Sequence, residues 1–119
     1  MTSQELIAAL EKATEPDREL DVAIYHLLYP TTRIEGDKYV NDCFLEPMPF
    51  YTSSIDAAMT LVPEGHKWKC GYSRHVPHNA EVIDYEGRNG SFVGECDSNR
   101  AIALCIASLK SRATSQSGE

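Results

Sequence analysis

Cationic and aromatic side chains crowd into two short stretches of this chain, and both have the makings of an anion site. The first runs through His66, Lys67, Lys69, Arg74, His75 and His78, with Trp68 and Tyr72 between them. Its cations would attract phosphate oxygens, and an indole or phenol ring offers a face on which a base can stack. The plainer reading is a solvated hairpin, since clustered charges commonly face water. The second stretch is Ser98-Asn99-Arg100, where a helix is predicted to begin. Free backbone N–H groups and the helix dipole favour phosphate there, and a guanidinium grips two oxygens at once. Phe92, on the strand just before, would serve as a platform beside it. An ordinary cap followed by an exposed arginine is the alternative. The candidate ligand-binding residues are therefore Arg100, Asn99, Phe92, Trp68, Arg74 and His75.

Bond-breaking chemistry has less to stand on. Cys70, His75 and His78, with Cys43 or Cys96 as a fourth ligand, do not have the spacing of a common Cys/His zinc motif, so neither metal nor cofactor is expected. Glu81, Asp84, Glu86 and Glu95 fall on predicted strands with nothing in their spacing to mark a catalytic pair. No Walker loop, G-x-S-x-G or H-E-x-x-H is present. The expectation is binding without turnover.

Composition narrows the partners. The chain has 119 residues, 42% hydrophobic and 24% charged, enough for one core and one domain. Its formal net charge of -7 repels phosphate backbones, and no Lys/Arg run offsets it, so nucleic-acid binding is not expected. No apolar run approaches the ~20 residues of a membrane span, and Met1-Thr2-Ser3-Gln4-Glu5 lacks a basic region followed by an apolar one. A cytoplasmic location is expected, where Cys43, Cys70, Cys96 and Cys105 would stay reduced.

The elements that must position these residues follow from periodicity. Ser3 can cap a helix with Leu6, Ile7 and Leu10 on one stripe. Thr14, Pro16 and Asp17 open a second, with Leu20, Ala23, Ile24, Leu27 and Leu28 inward and Arg18, Glu19 and Asp21 outward, closed by Tyr29-Pro30. From Thr31 to Phe50 the chain is turn-rich; only Tyr39 to Leu45 reads as a strand. This excursion is either a surface loop with one edge strand, or a lid or subunit contact. Ile55, Ala58, Met59 and Val62 then mark a short central helix, capped by Ser53 with Asp56 and stopped by Pro63.

Trp68, Cys70 and Tyr72 alternate with Lys67, Lys69 and Gly71, Ala80 to Glu86 gives another strand, and Asn89-Gly90 turns the chain into Ser91 to Cys96. That is an antiparallel meander. Asp97 or Ser98 would cap a last helix whose Ala101, Ile102, Leu104, Cys105, Ile106 and Leu109 make a broad apolar face, fit for burial between layers or against another subunit. Residues 1-113 would form the domain, and 114-119 a disordered tail.

Two blocks, Pro49-Phe50-Tyr51-Thr52-Ser53-Ser54-Ile55-Asp56-Ala57-Ala58 and Arg100-Ala101-Ile102-Ala103-Leu104-Cys105-Ile106-Ala107-Ser108-Leu109, together with Arg18-Glu19-Leu20-Asp21-Val22-Ala23-Ile24, resemble small phage and prophage proteins with the phage ABA-sandwich domain. The resemblance implies an α+β fold, an α/β/α sandwich in which helices pack an antiparallel sheet of three to four strands, and an accessory protein rather than an enzyme. The fold is also similar to phage anti-defence sponges, which sequester the cyclic nucleotide signals of Thoeris or CBASS immunity and assemble as oligomers. This implies a small anionic nucleotide as partner and self-association into a dimer or higher assembly. The alternative is a structural or protein-interaction accessory protein with no small-molecule ligand.

Overall fold

The computed structural model describes residues 2–13, 15–63, 66–71, 79–84, 91–96 and 99–117, apart from the side chains of residues 84 and 114–117. Among the described residues, four helices and two three-stranded antiparallel sheets build an α+β fold with helices packed on sheet, as the periodicity predicts. Helix α1 (Ser3–Lys12) and helix α2 (Arg18–Leu28) come first. Strands β1 (Ile34–Glu35), β2 (Lys38–Asn41) and β3 (Phe44–Pro47) then form a small sheet of their own, in that order. Helix α3 (Ile55–Met59) leads to β4 (His66–Gly71), β5 (Asn79–Asp84) and β6 (Ser91–Glu95), again in sequence order, and α4 (Arg100–Ser117) follows.

Helix α4 is the spine. Every residue from Ala101 to Leu109 is buried, and so is Ser111. The breadth of its apolar surface is used within the chain: β5 and β6 pack on one side, α1 and α3 on others. Ala80 and Val82 of β5 are fully buried on the sheet face that α4 covers. Gly94 of β6 permits the close approach, because a Cβ there would overlap the Ala103 carbonyl oxygen and come within 2.8 Å of Ala107 N.

The caps lie one to three residues from their predicted places. Thr2 takes the N–H of Glu5, Asp17 that of Glu19 and Ser54 that of Ala57, where Ser3, Thr14 and Ser53 were the expected caps. In each case a neighbouring residue with an equally suitable side chain starts the helix so that its apolar stripe lands on the core. The central helix is shorter than its stripe implies: Met59 is 40% exposed, and Leu61 beyond the helix is buried in its place.

The excursion departs furthest from expectation. One strand was predicted over Tyr39 to Leu45, but Asp42 takes a positive φ of 57°, which splits that run into β2 and β3. A short polar aspartate tolerates this left-handed turn better than most residues. Gly36, at φ 61°, makes the other turn, between β1 and β2. The result is a three-stranded arm, held to the body by Tyr39 stacking on Tyr25 with ring centroids 4.6 Å apart.

Candidate functional site

Among the described residues, the predicted ligand residues Asn99, Arg100, Trp68 and Phe92 do not assemble at one place. Asn99 caps α4: its Oδ1 accepts from the N–H groups of Ala101 (2.8 Å) and Ile102 (3.3 Å), and its Nδ2 donates to the Thr52 carbonyl at 3.0 Å. Two of the N–H groups that would have faced a phosphate are thus occupied from within the chain. Arg100, the next residue, is exposed. Burial pushes the Cys70 thiol on β4 upward in pKa, and the Arg100 guanidinium works against that rise. Arg100 therefore projects its field onto the end of β4. Arg74 and His75 lie outside the described residues, as do Tyr72 and His78.

The aromatic candidates sit elsewhere. Trp68, Val82 and Phe92 are cross-strand neighbours, so they share the sheet face that α4 covers. Trp68 is half-buried against the core. Phe92 lines a groove with Gln4, Ile7 and Glu11 of α1 and Lys110 and Ala113 of α4. Those last two are ten and thirteen residues along α4 from Arg100, roughly 15–20 Å at the helical rise per residue. Phe92 is therefore no platform for an anion at Arg100. On the other sheet face, Lys69 pairs with Glu81 at 3.9 Å.

What the structure does bring together is a polar knot at the base of the arm. Asp21, predicted to face outward, is 1% exposed. Its Oδ1 accepts from the backbone N–H and the hydroxyl of Thr52, each at 2.8 Å, and its Oδ2 accepts from Arg18 Nη1 at 2.9 Å. The Thr52 hydroxyl oxygen accepts in turn from the Asp17 N–H at 2.9 Å. A buried carboxylate is tolerable when paired and saturated in this way. Arg18 continues outward: Nη2 donates to the Met48 carbonyl at 3.0 Å and to that of Asp37 at 3.4 Å, and its guanidinium lies 3.9 Å from the centre of the Phe50 ring. One side chain thus grips both the β1–β2 turn and the strand leaving the arm.

Beyond that grip the arm ends in apolar surface. Phe44 is 70% and Leu45 51% exposed, directly after the Asp42-Cys43 turn. All four cysteines are free thiols. Cys105 donates to the Tyr51 carbonyl at 3.2 Å, and burial pushes its thiol well above the usual range, so it is a protonated core residue. Among the described residues no group of three or more His, Cys, Asp or Glu could hold a metal ion, and no helix is long and apolar enough to cross a membrane.

Comparison with protein-family models and with curated proteins found no match. Among solved structures, the chain is similar to a phage protein from Bacillus cereus ATCC 14579, with a TM-score of 0.59 over 82% of this chain and 92% of that one. At 18% sequence identity that likeness establishes the fold alone.

Proposed function

We propose that the protein acts by binding rather than turnover, as a phage-type accessory protein in the host cytoplasm whose β1–β3 arm docks onto another protein. The exposed Phe44 and Leu45 at the arm's tip carry this reading. Adjacent uncovered apolar side chains on a braced projection are what a docking surface presents. Asp42 and Glu46 flank them, and the chain as a whole carries a charge of -7. A partner with an apolar pocket and a basic rim suits this tip better than a second copy does. Cross-linking through Cys43, beside the tip, followed by mass spectrometry in host lysate should recover a protein that the Phe44→Ser/Leu45→Ser variant does not. Equal recovery by both, or cross-links between copies alone, would sink the reading.

A second reading is the sequestration of a small anionic nucleotide signal of host immunity, without cleavage of the ligand. It is favoured by the exposed Arg100 and its field at Cys70. Calorimetric titration with cyclic dinucleotides and cyclic ADP-ribose isomers tests it, with Arg100→Ala expected to abolish the heat and the ligand recovered intact after heating. Heat that persists in the variant, or ligand recovered degraded, contradicts it.

A further inference from the structure

One guanidinium lies where α4 meets the end of α2 and the segment after α3, with no carboxylate to answer it. Arg112 is half-buried, and its Nε donates to the Leu61 carbonyl at 2.6 Å, which fixes the group in place. Among the described residues it forms no ion pair, and its Nη1 and Nη2 make no hydrogen bond. A cation drawn partly out of water ordinarily finds an acid, and this chain has 18 Asp and Glu residues. Phenols stand there instead. Burial lowers the Arg112 pKa, and the groups that counter the fall are Tyr29 and Tyr51. Tyr51 is 3% exposed, yet its hydroxyl has no hydrogen-bond partner among the described residues. Cys105, two turns before Arg112 on one stripe of α4, donates to the Tyr51 carbonyl, so that stripe faces Tyr51. Ser108 lies between them, fully buried, and its hydroxyl is also without a partner. Tyr29 is half exposed, and its ring rests on Tyr25 at 4.8 Å, which in turn stacks on Tyr39. Asp21, whose charge reaches Cys105, is already paired with Arg18.

The geometry points to a small-molecule site at Arg112, Tyr29 and Tyr51 that takes a phosphate monoester carried on a flat ring. The free Nη edge of the guanidinium grips two phosphate oxygens, and the two phenol hydroxyls donate to what remains. These donors arrive from three separate parts of the chain. They suit the splayed oxygens of a phosphate better than the two coplanar oxygens of a carboxylate. The ring of the ligand lies against Tyr29, whose own ring is braced from behind by Tyr25. An entering phosphate also supplies the partner that the Tyr51 hydroxyl lacks within the chain. The site stands about 18 Å along α4 from Arg100 at the helical rise per residue and uses neither Phe44 nor Leu45, so it rests on neither reading above.

Calorimetric titration of the full chain with phenyl phosphate, inorganic phosphate and benzoate tests the site. Phenyl phosphate is expected to bind with Kd below about 1 mM, with inorganic phosphate and benzoate each roughly tenfold weaker. Arg112→Lys keeps the charge but loses the fork, and should weaken phenyl phosphate roughly tenfold. Tyr29→Phe should weaken phenyl phosphate and inorganic phosphate alike, whereas Tyr29→Leu, which removes the ring, should also erase the preference between them. Lys12→Gln, an exposed change on α1 that alters the net charge by the same amount as losing an arginine, should leave both affinities unchanged. The proposal is overturned by any of four results: no saturable heat with phenyl phosphate, benzoate bound as tightly, a loss in Lys12→Gln equal to that in Arg112→Lys, or a preference that survives Tyr29→Leu.

Discussion

Arg18 and Asp21 stand one turn apart on α2 and are joined at 2.9 Å from Nη1 to Oδ2, with the carboxylate buried and the guanidinium a third exposed. The pair spans the boundary between body and arm: Asp21 looks inward to Thr52, and Arg18 outward to the carbonyls of Met48 and Asp37. Arg18→Ala should therefore act on two levels. Left unpaired, the buried carboxylate costs about 3–5 kcal/mol of stability, read as a lower urea midpoint. Hydrogen exchange should also quicken at the Val40 and Met48 amides, which bond to Arg33 and Asp37 in the arm.

Asn99 performs two jobs that separate variants can split. Asn99→Ala removes the cap of α4 and the tie to Thr52 and should cost about 1–2 kcal/mol. Asn99→Asp keeps an acceptor for the Ala101 and Ile102 N–H groups and loses only the donation to Thr52, so its midpoint should fall between wild type and the alanine variant.

Gly94 leaves no room for a methyl group. Gly94→Ala should force β6 away from α4 and destabilise by about 1–3 kcal/mol or more, with the near-ultraviolet signal of Trp68 changing alongside. By contrast, the Phe44→Ser/Leu45→Ser variant should unfold within about 0.5 kcal/mol of wild type, because both side chains are more than half exposed.

Stability should decline in alkali. Burial raises the Tyr51 phenol above its ordinary value of 10.0, with Tyr29 and Tyr25 adding to the rise, so the folded state keeps a proton that the unfolded chain releases. Its contribution is fully present below pH 10.0 and is lost as pH rises beyond it. Tyr51→Phe should remove up to about 1.4 kcal/mol per pH unit from the slope of unfolding free energy above that point, measured by urea titrations across the range.

The regular layers were legible because their signals are local. Alternation of Trp68 and Cys70 with Lys67 and Lys69 marks β4, and the apolar breadth from Ala101 to Leu109 marks α4. Caps slipped where two suitable residues adjoin, as in Thr2-Ser3 and Ser53-Ser54, since only the tertiary position of the stripe chooses between them. Asp21 was misplaced for a different reason: its partner Thr52 is 31 residues away, and no local pattern announces a carboxylate that will be satisfied from such a distance. The separation of Phe92 from Arg100 was equally hidden, because nothing in the residues says how far along an 18-residue helix a strand will lie.

The burial of Ala101 to Leu109 among β5, β6, α1 and α3 bears on how the chain is made. In order of synthesis, α1, α3 and the β4–β6 meander all emerge before the segment that each of them packs against. Until the ribosome has released the stretch through Leu109, these elements have no common interior to condense around, and their apolar faces stay open to chaperones. Folding is therefore held back to a late step, in which a single hydrophobic rod is enclosed by parts that have been waiting for it.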